Sequence, residues 1–153
     1  MDHRIALKSN TRLHLCNDRG EVINCVIENE IGRGGSCIVY EAARVTDTGD
    51  KTLYRVKEFY PYKLNISRDE NNNLIPSDKD TELFNQRQEQ LRIDFSRMNR
   101  LFYSDANYSL ITNQLDVFRQ NGTSYILSAY SSKKTLATYK PESLKECVML
   151  VKQ

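Results

Sequence analysis

Three glycines between two runs rich in β-branched residues constrain this chain most: Ile31-Gly32-Arg33-Gly34-Gly35-Ser36-Cys37-Ile38-Val39-Tyr40. The flanking runs predict strands, and the glycines predict a turn between them. A further run of the same character, Tyr54-Arg55-Val56-Lys57-Glu58-Phe59-Tyr60, carries a single lysine. A glycine turn lets backbone N–H groups come close to a polyphosphate, an approach that a Cβ would obstruct. A lysine reaching out from a neighbouring strand supplies the point charge that phosphate oxygens need.

The rest of the chain is ordered around that stretch. Residues 11–16 alternate, Asn17-Asp18-Arg19-Gly20 is a turn cluster, and with residues 22–31 they read as a hairpin. Residues 37–45 and 52–60 are the next strands, separated by Thr46-Asp47-Thr48-Gly49-Asp50. The first sixty residues therefore read as a β-meander. Residues 61–80, with Asn71-Asn72-Asn73, Pro76 and many charges, read as a mobile polar loop. Ser77 or Thr81 can cap the helix that follows, and Asp78, Asp80 and Glu82 suit its positive end. Phe84, Leu91, Phe95, Met98 and Phe102 recur at helical spacing, with Leu101 beside them, and read as a core stripe. The spacing predicts a helix of about 22–26 residues. Residues 111–119 and 124–130 are two more strands, joined through Asn121-Gly122, a hairpin signal. A polar linker from Ser131 to Lys134 leads, past Pro141, into a weakly amphipathic tail through Leu144, Val148 and Val151.

Composition removes several classes. The 153 residues suffice for one domain with a real core. Twenty-two basic and twenty acidic side chains leave a net charge of +2, too balanced to argue for nucleic acid. No apolar run nears the roughly 18 residues of a membrane span, and the first twenty residues hold no signal-peptide core. The four cysteines form no Cys-x-x-Cys, and there are only two histidines, His3 and His14. No metal site is expected, and buried thiols in a reducing cytoplasm are the default. Cys37, inside the glycine turn and near Arg33, is the one candidate for a reactive thiol.

The order of glycine-turn hairpin, lysine strand, long helix, second hairpin and polar linker resembles the N-terminal lobe of a bacterial Ser/Thr protein kinase, over residues 22–140 or so. Gly32 through Tyr40 looks like the Gly-x-Gly-Gly form of the glycine-rich loop. Ser124-Tyr125-Ile126-Leu127-Ser128-Ala129-Tyr130 looks like the fifth strand entering the hinge. The resemblance implies an α+β fold: a five-stranded antiparallel twisted sheet with one long helix, plus an N-terminal β-hairpin extension. It divides the chain into an extension (1–21), a lobe (22–130), and a hinge with the start of C-lobe helices (131–153). It implies ATP with Mg2+ as cofactor. Ile31, Gly32, Arg33, Gly34, Gly35 and Ser36 would form the loop over the β- and γ-phosphates. Val39 would pack on the adenine, and Lys57 would hold the α- and β-phosphates. Ser128 would stand at the gatekeeper position, with the Ala129 carbonyl and the Ser131 N–H reading the purine edge.

Two positions depart from the family pattern. Arg55 stands where an alanine forms the roof of the adenine site, and strand alternation puts it on the face of Lys57. The glutamate partner of the lysine has no plain equivalent. Asp94 is preferred because it shares a face with Leu91, Met98 and Leu101; Glu89 is the alternative, although Asn85, Arg92 and Ser96 make its face a solvated one. No His-Arg-Asp and no Asp-Phe-Gly follows, so the chain reads as truncated before the catalytic loop. Alone it is expected to be inactive, with its own C-lobe as partner in the full-length protein and the protein substrate open. A pseudokinase or interaction module that binds no nucleotide is the alternative. A third reading is a β-rich regulatory domain with an ordinary glycine hairpin, which would put Lys57 away from the glycine turn. The tail at Leu144, Val148 and Val151 is expected to be apolar and unpacked.

Overall fold

The computed structural model describes residues 2–45, 50–104 and 114–130. Eight strands and one helix run through them: β1 (Arg12–Cys16), β2 (Val22–Arg33), β3 (Cys37–Val45), β4 (Lys51–Phe59), β5 (Ile66–Arg68), β6 (Leu74–Pro76), α1 (Thr81–Ser104), β7 (Gln114–Gln120) and β8 (Thr123–Ala129). Helix α1 is 24 residues long. The hinge-exit residue Ser131, the tail with Leu144, Val148 and Val151, the turn at 46–49 and residues 111–113 of the expected strand lie outside the described residues.

Six strands close into an antiparallel barrel in the order β1-β2-β3-β4-β8-β7, and β5 and β6 make a separate two-stranded sheet. This corrects the expected open, five-stranded twisted sheet with an N-terminal hairpin extension. Strand β1 is not an extension but a stave of the barrel. Its alternation sends Leu13 and Leu15 inward, where they are 2% and 0% exposed, so the strand has to lie against the core. It pairs along its whole length with β2 and meets β7 where Cys16 faces Arg119. The right-handed twist of the sheet coils its two edges toward each other, and two register shifts in β2, between Ile27 and Asn29 and between Glu30 and Gly32, bend it further. Closure removes both open edges.

Inward-facing Leu13, Leu15, Cys25, Ile27, Ile38, Tyr40, Ala42, Val56, Phe118, Tyr125 and Leu127 fill the barrel. A second, smaller cluster lies outside it, where Phe59, Leu64 and Phe84 seat the start of α1 on the sheet. The Phe59 and Phe84 rings stand 5.4 Å apart in a tilted pair.

The expected mobile loop of residues 61–80 is instead a folded hairpin. The Asp69 carboxylate accepts the Asn71 and Asn73 N–H groups at 2.9 and 2.7 Å, and Asn72 takes a left-handed φ of 69°. The asparagines are thus turn chemistry. The hairpin carries Arg68 to the buried Glu58, to which it donates at 3.1 and 2.6 Å. Tyr125 and Tyr40 donate to the same carboxylate at 2.7 and 2.9 Å. Arg68 is completed by the carbonyls of Ile5 at 2.8 Å and Asn72 at 2.9 Å. Burial, followed by the Glu58 charge, pushes both phenols well above their ordinary value, so they stay protonated donors. Such a buried charge is tolerable because each of its oxygens is met.

Candidate functional site

Alternation along β4 turns Val56 and Glu58 into the barrel and Arg55, Lys57 and Phe59 out of it. Cross-strand partners share a face, so the register defines a lateral row on the outside: Gly32 opposite Val39, Val39 opposite Lys57, Lys57 opposite Ile126. The first glycine of the turn, the valine and the lysine are therefore neighbours on one surface. Lys57 is half-buried, and its side chain makes no hydrogen bond or ion pair with any of the described residues.

The turn is held by its own backbone. Gly34 N–H donates to Cys37 O at 2.8 Å, Tyr60 N–H to Ser36 O at 2.9 Å, and Tyr62 N–H to Gly35 O at 3.1 Å. None of Gly32, Gly34 and Gly35 takes a positive φ. A Cβ at Gly32 would meet nothing within 4 Å, one at Gly34 would lie 3.9 Å from Cys37 O, and one at Gly35 would lie 4.0 Å from the Tyr62 ring. The fold itself does not demand these glycines. Gly122, in the β7–β8 turn, behaves in the opposite way: its φ is +68° and a Cβ would fall 2.9 Å from Leu74 O.

The two candidate acids stand elsewhere. Asp94 is exposed, accepts from Gln90 at 2.8 Å and lies 3.7 Å from Arg97. Glu89 is exposed and bonded to Arg92 at 3.1 Å. Neither is paired with Lys57. The helix is phased by Phe84 and Phe95, 2% and 8% exposed, while Met98 is 41% exposed. Asp94 thus shares its face with an outward methionine. Phe84, Leu91 and Phe95 bracket Gln88, a half-buried residue that the sequence reading passed over and whose Oε1 is buried with no partner. The phenylalanine spacing, followed by itself, would have pointed to it.

In the next row on the same face, Arg55 lies between Glu41 and Ser128 in the register, and its Nε is buried without a partner among the described residues. The hydroxyl of Ser128 donates to Arg55 O at 3.4 Å, and its side of β8 is fully covered, whereas Ala129 is exposed. Ile31 and Ser36 are exposed on the turn. Arg33 is paired with Ile38 and so leans to the barrel side, where Glu30 takes its Nε at 2.6 Å. Burial pushes the Cys37 thiol up to about 11, against the smaller opposing pull of Lys57, which removes the reactive-thiol reading. Among the described residues no group of three or more His, Cys, Asp or Glu side chains could hold a metal ion. No helix among them is long and apolar enough to cross a membrane.

The outer row, with a glycine turn at its end and a lysine at its centre whose side chain no described residue pairs, suits an anionic ligand approaching from outside the barrel. The apo form of PpkA-294 shares this fold with a TM-score of 0.64 and 23% identity, over 86% of this chain and 41% of that one. The chain thus spans about two-fifths of the length of that structure, and the likeness is one of fold. No family model matches the chain, and no curated protein does.

Proposed function

We propose that this chain is the ATP-binding small lobe of a Ser/Thr protein kinase-like protein, in which phosphoryl transfer from ATP to a protein Ser or Thr belongs to the full-length protein. The observation that carries the reading is the outer row of Gly32, Val39 and Lys57, with a glycine turn that neither backbone nor packing requires. A requirement that does not come from the fold comes from what approaches the turn. The likeness of fold to the apo form of PpkA-294 stands beside the sequence resemblance to a kinase small lobe in support of this reading.

In this reading ATP with Mg2+ supplies the phosphoryl group. The ammonium of Lys57 neutralises phosphate oxygens, and the turn from Gly32 to Ser36 covers them. Val39 would provide apolar surface for the base and Ala129 would border its edge, with the buried Ser128 behind it. The C-lobe supplies the remaining groups.

A second reading, a pseudokinase or interaction module without nucleotide, is favoured by one observation: Arg55 shares the outer face with Lys57, opposite Ser128, where a purine would have to lie, and neither Asp94 nor Glu89 is paired with that lysine. Thermal unfolding of the full-length protein during titration with Mg-ATP separates the two. Binding to the native state alone raises stability by about 2.7 kcal/mol at a hundredfold excess over Kd. The expected result is a saturable rise in Tm that Lys57→Ala abolishes. No rise, either in the parent protein or in Arg55→Ala, overturns the nucleotide reading.

A further inference from the structure

The segment ahead of β1 packs Leu7 into the end of the barrel and then reaches the glycine turn. Arg4 has a side chain 5% exposed, and its guanidinium serves three groups at once. Nη1 donates to Tyr60 O at 2.5 Å, and Nη2 donates to Gly34 O at 3.0 Å. Nε and Nη2 grip the Asp2 carboxylate at 2.9 and 2.5 Å. The same guanidinium lies 6.0 Å from the centre of the Tyr60 ring and 5.9 Å from that of Tyr62. Arg33, from the turn itself, answers by donating to Arg4 O at 2.9 Å, with Asp2 3.7 Å away.

These contacts converge on one unit. Gly34 is tied to Cys37 within the turn, and Tyr60 and Tyr62 are tied to Ser36 and Gly35 across it. Arg4 therefore holds the turn and its neighbouring strand end together. It does so from the barrel side, because Arg33 and Ile38 share that face while Gly32, Val39 and Lys57 share the other.

We propose that Asp2, Arg4 and Arg33 form a rear clamp that sets the mobility of the glycine turn while leaving its outer face open. Closure of the barrel does not require the clamp, since neither Asp2 nor Arg4 belongs to a barrel strand. A guanidinium is required, because a single ammonium cannot donate to two carbonyls and a carboxylate in this fixed fan. The clamp stands whether or not a nucleotide binds.

Residue-resolved amide exchange on the ligand-free chain tests this. In Arg4→Ala, the amides of Gly34, Tyr60 and Tyr62 are expected to exchange at least about tenfold faster, as loss of charge-assisted bonds lowers a local opening cost. Arg4→Lys is expected to behave like Arg4→Ala. Amides of Tyr125, Ile126 and Leu127 in β8 should stay within about twofold of the parent. Unchanged exchange in the turn, or an equal rise in β8, overturns the proposal. Should Arg4→Ala fail to fold, Asp2→Asn is read in the same way: faster exchange confined to the turn supports the clamp, and none overturns it.

Discussion

Lys57 and Glu58 are adjacent in sequence, carry opposite charges and meet opposite fates. Glu58 is fully buried and takes hydrogen bonds from Arg68, Tyr40 and Tyr125. Lys57, one pleat on, faces outward between Val39 and Ile126, with no ion pair among the described residues. The pleat is what separates them. The inner face spends its charge on holding the β5–β6 hairpin to the barrel. The outer face keeps a charge that no described residue pairs, and an anionic ligand would find it there.

Removing either partner of the inner pair should give the largest effect on stability. Glu58→Ala leaves Arg68 charged and buried without its carboxylate, at a cost of about 3–5 kcal/mol in urea unfolding. Replacing both Glu58 and Arg68 by methionine is expected to recover only part of that loss, because the desolvation of both charges is removed with their attraction while the buried Tyr40 and Tyr125 hydroxyls lose their acceptor. If Glu58→Ala costs no more than Lys57→Ala, the contrast between the two faces collapses. Lys57→Ala itself should stay within about 0.5 kcal/mol of the parent.

The two glycine turns sharpen the same contrast at a smaller scale. Gly122→Ala has to carry a Cβ at a φ of +68°, 2.9 Å from Leu74 O, and should cost about 1–3 kcal/mol. Gly32→Ala meets no such obstacle and should unfold at nearly the same urea concentration as the parent. Equal losses at the two positions would mean that the turn at 32–35 is structural after all.

How far this was legible in the sequence follows the range of the interactions. Period-two alternation and turn chemistry are local, so the glycine turn, the outward lysine strand and the Asn121-Gly122 hairpin could be read directly. That Arg55 shares the face of Lys57 follows from the same period. Barrel closure could not be read this way, because it rests on a meeting of β1 with β7 more than a hundred residues apart, at Cys16 and Arg119. Glu58 was overlooked because a glutamate in a strand reads as surface until its partner is known, and Arg68 sat in what read as a loop. Phe84, Leu91 and Phe95 of the expected core stripe do face the sheet, but Met98 does not, and the preference for Asp94 rested on its sharing a face with Met98.

The smallest effect concerns Cys37, which shares the outer face with Lys57 and packs on the Phe59 and Phe84 cluster. Burial raises its thiol to about 11, and the Lys57 charge pulls the other way. At pH 8 the thiol is therefore protonated, and its reaction with iodoacetamide should be much slower than that of the exposed Cys16, rising about tenfold per pH unit until the pH nears 11. Lys57→Ala removes the favourable charge, so the Cys37 rate should fall by about two- to threefold with no change in its pH slope. A rate that does not move would mean that the field of Lys57 is spent on solvent and does not reach the turn. The outer row would then be a geometric neighbourhood without electrostatic coupling, and the lysine would have to act on a ligand by direct contact alone.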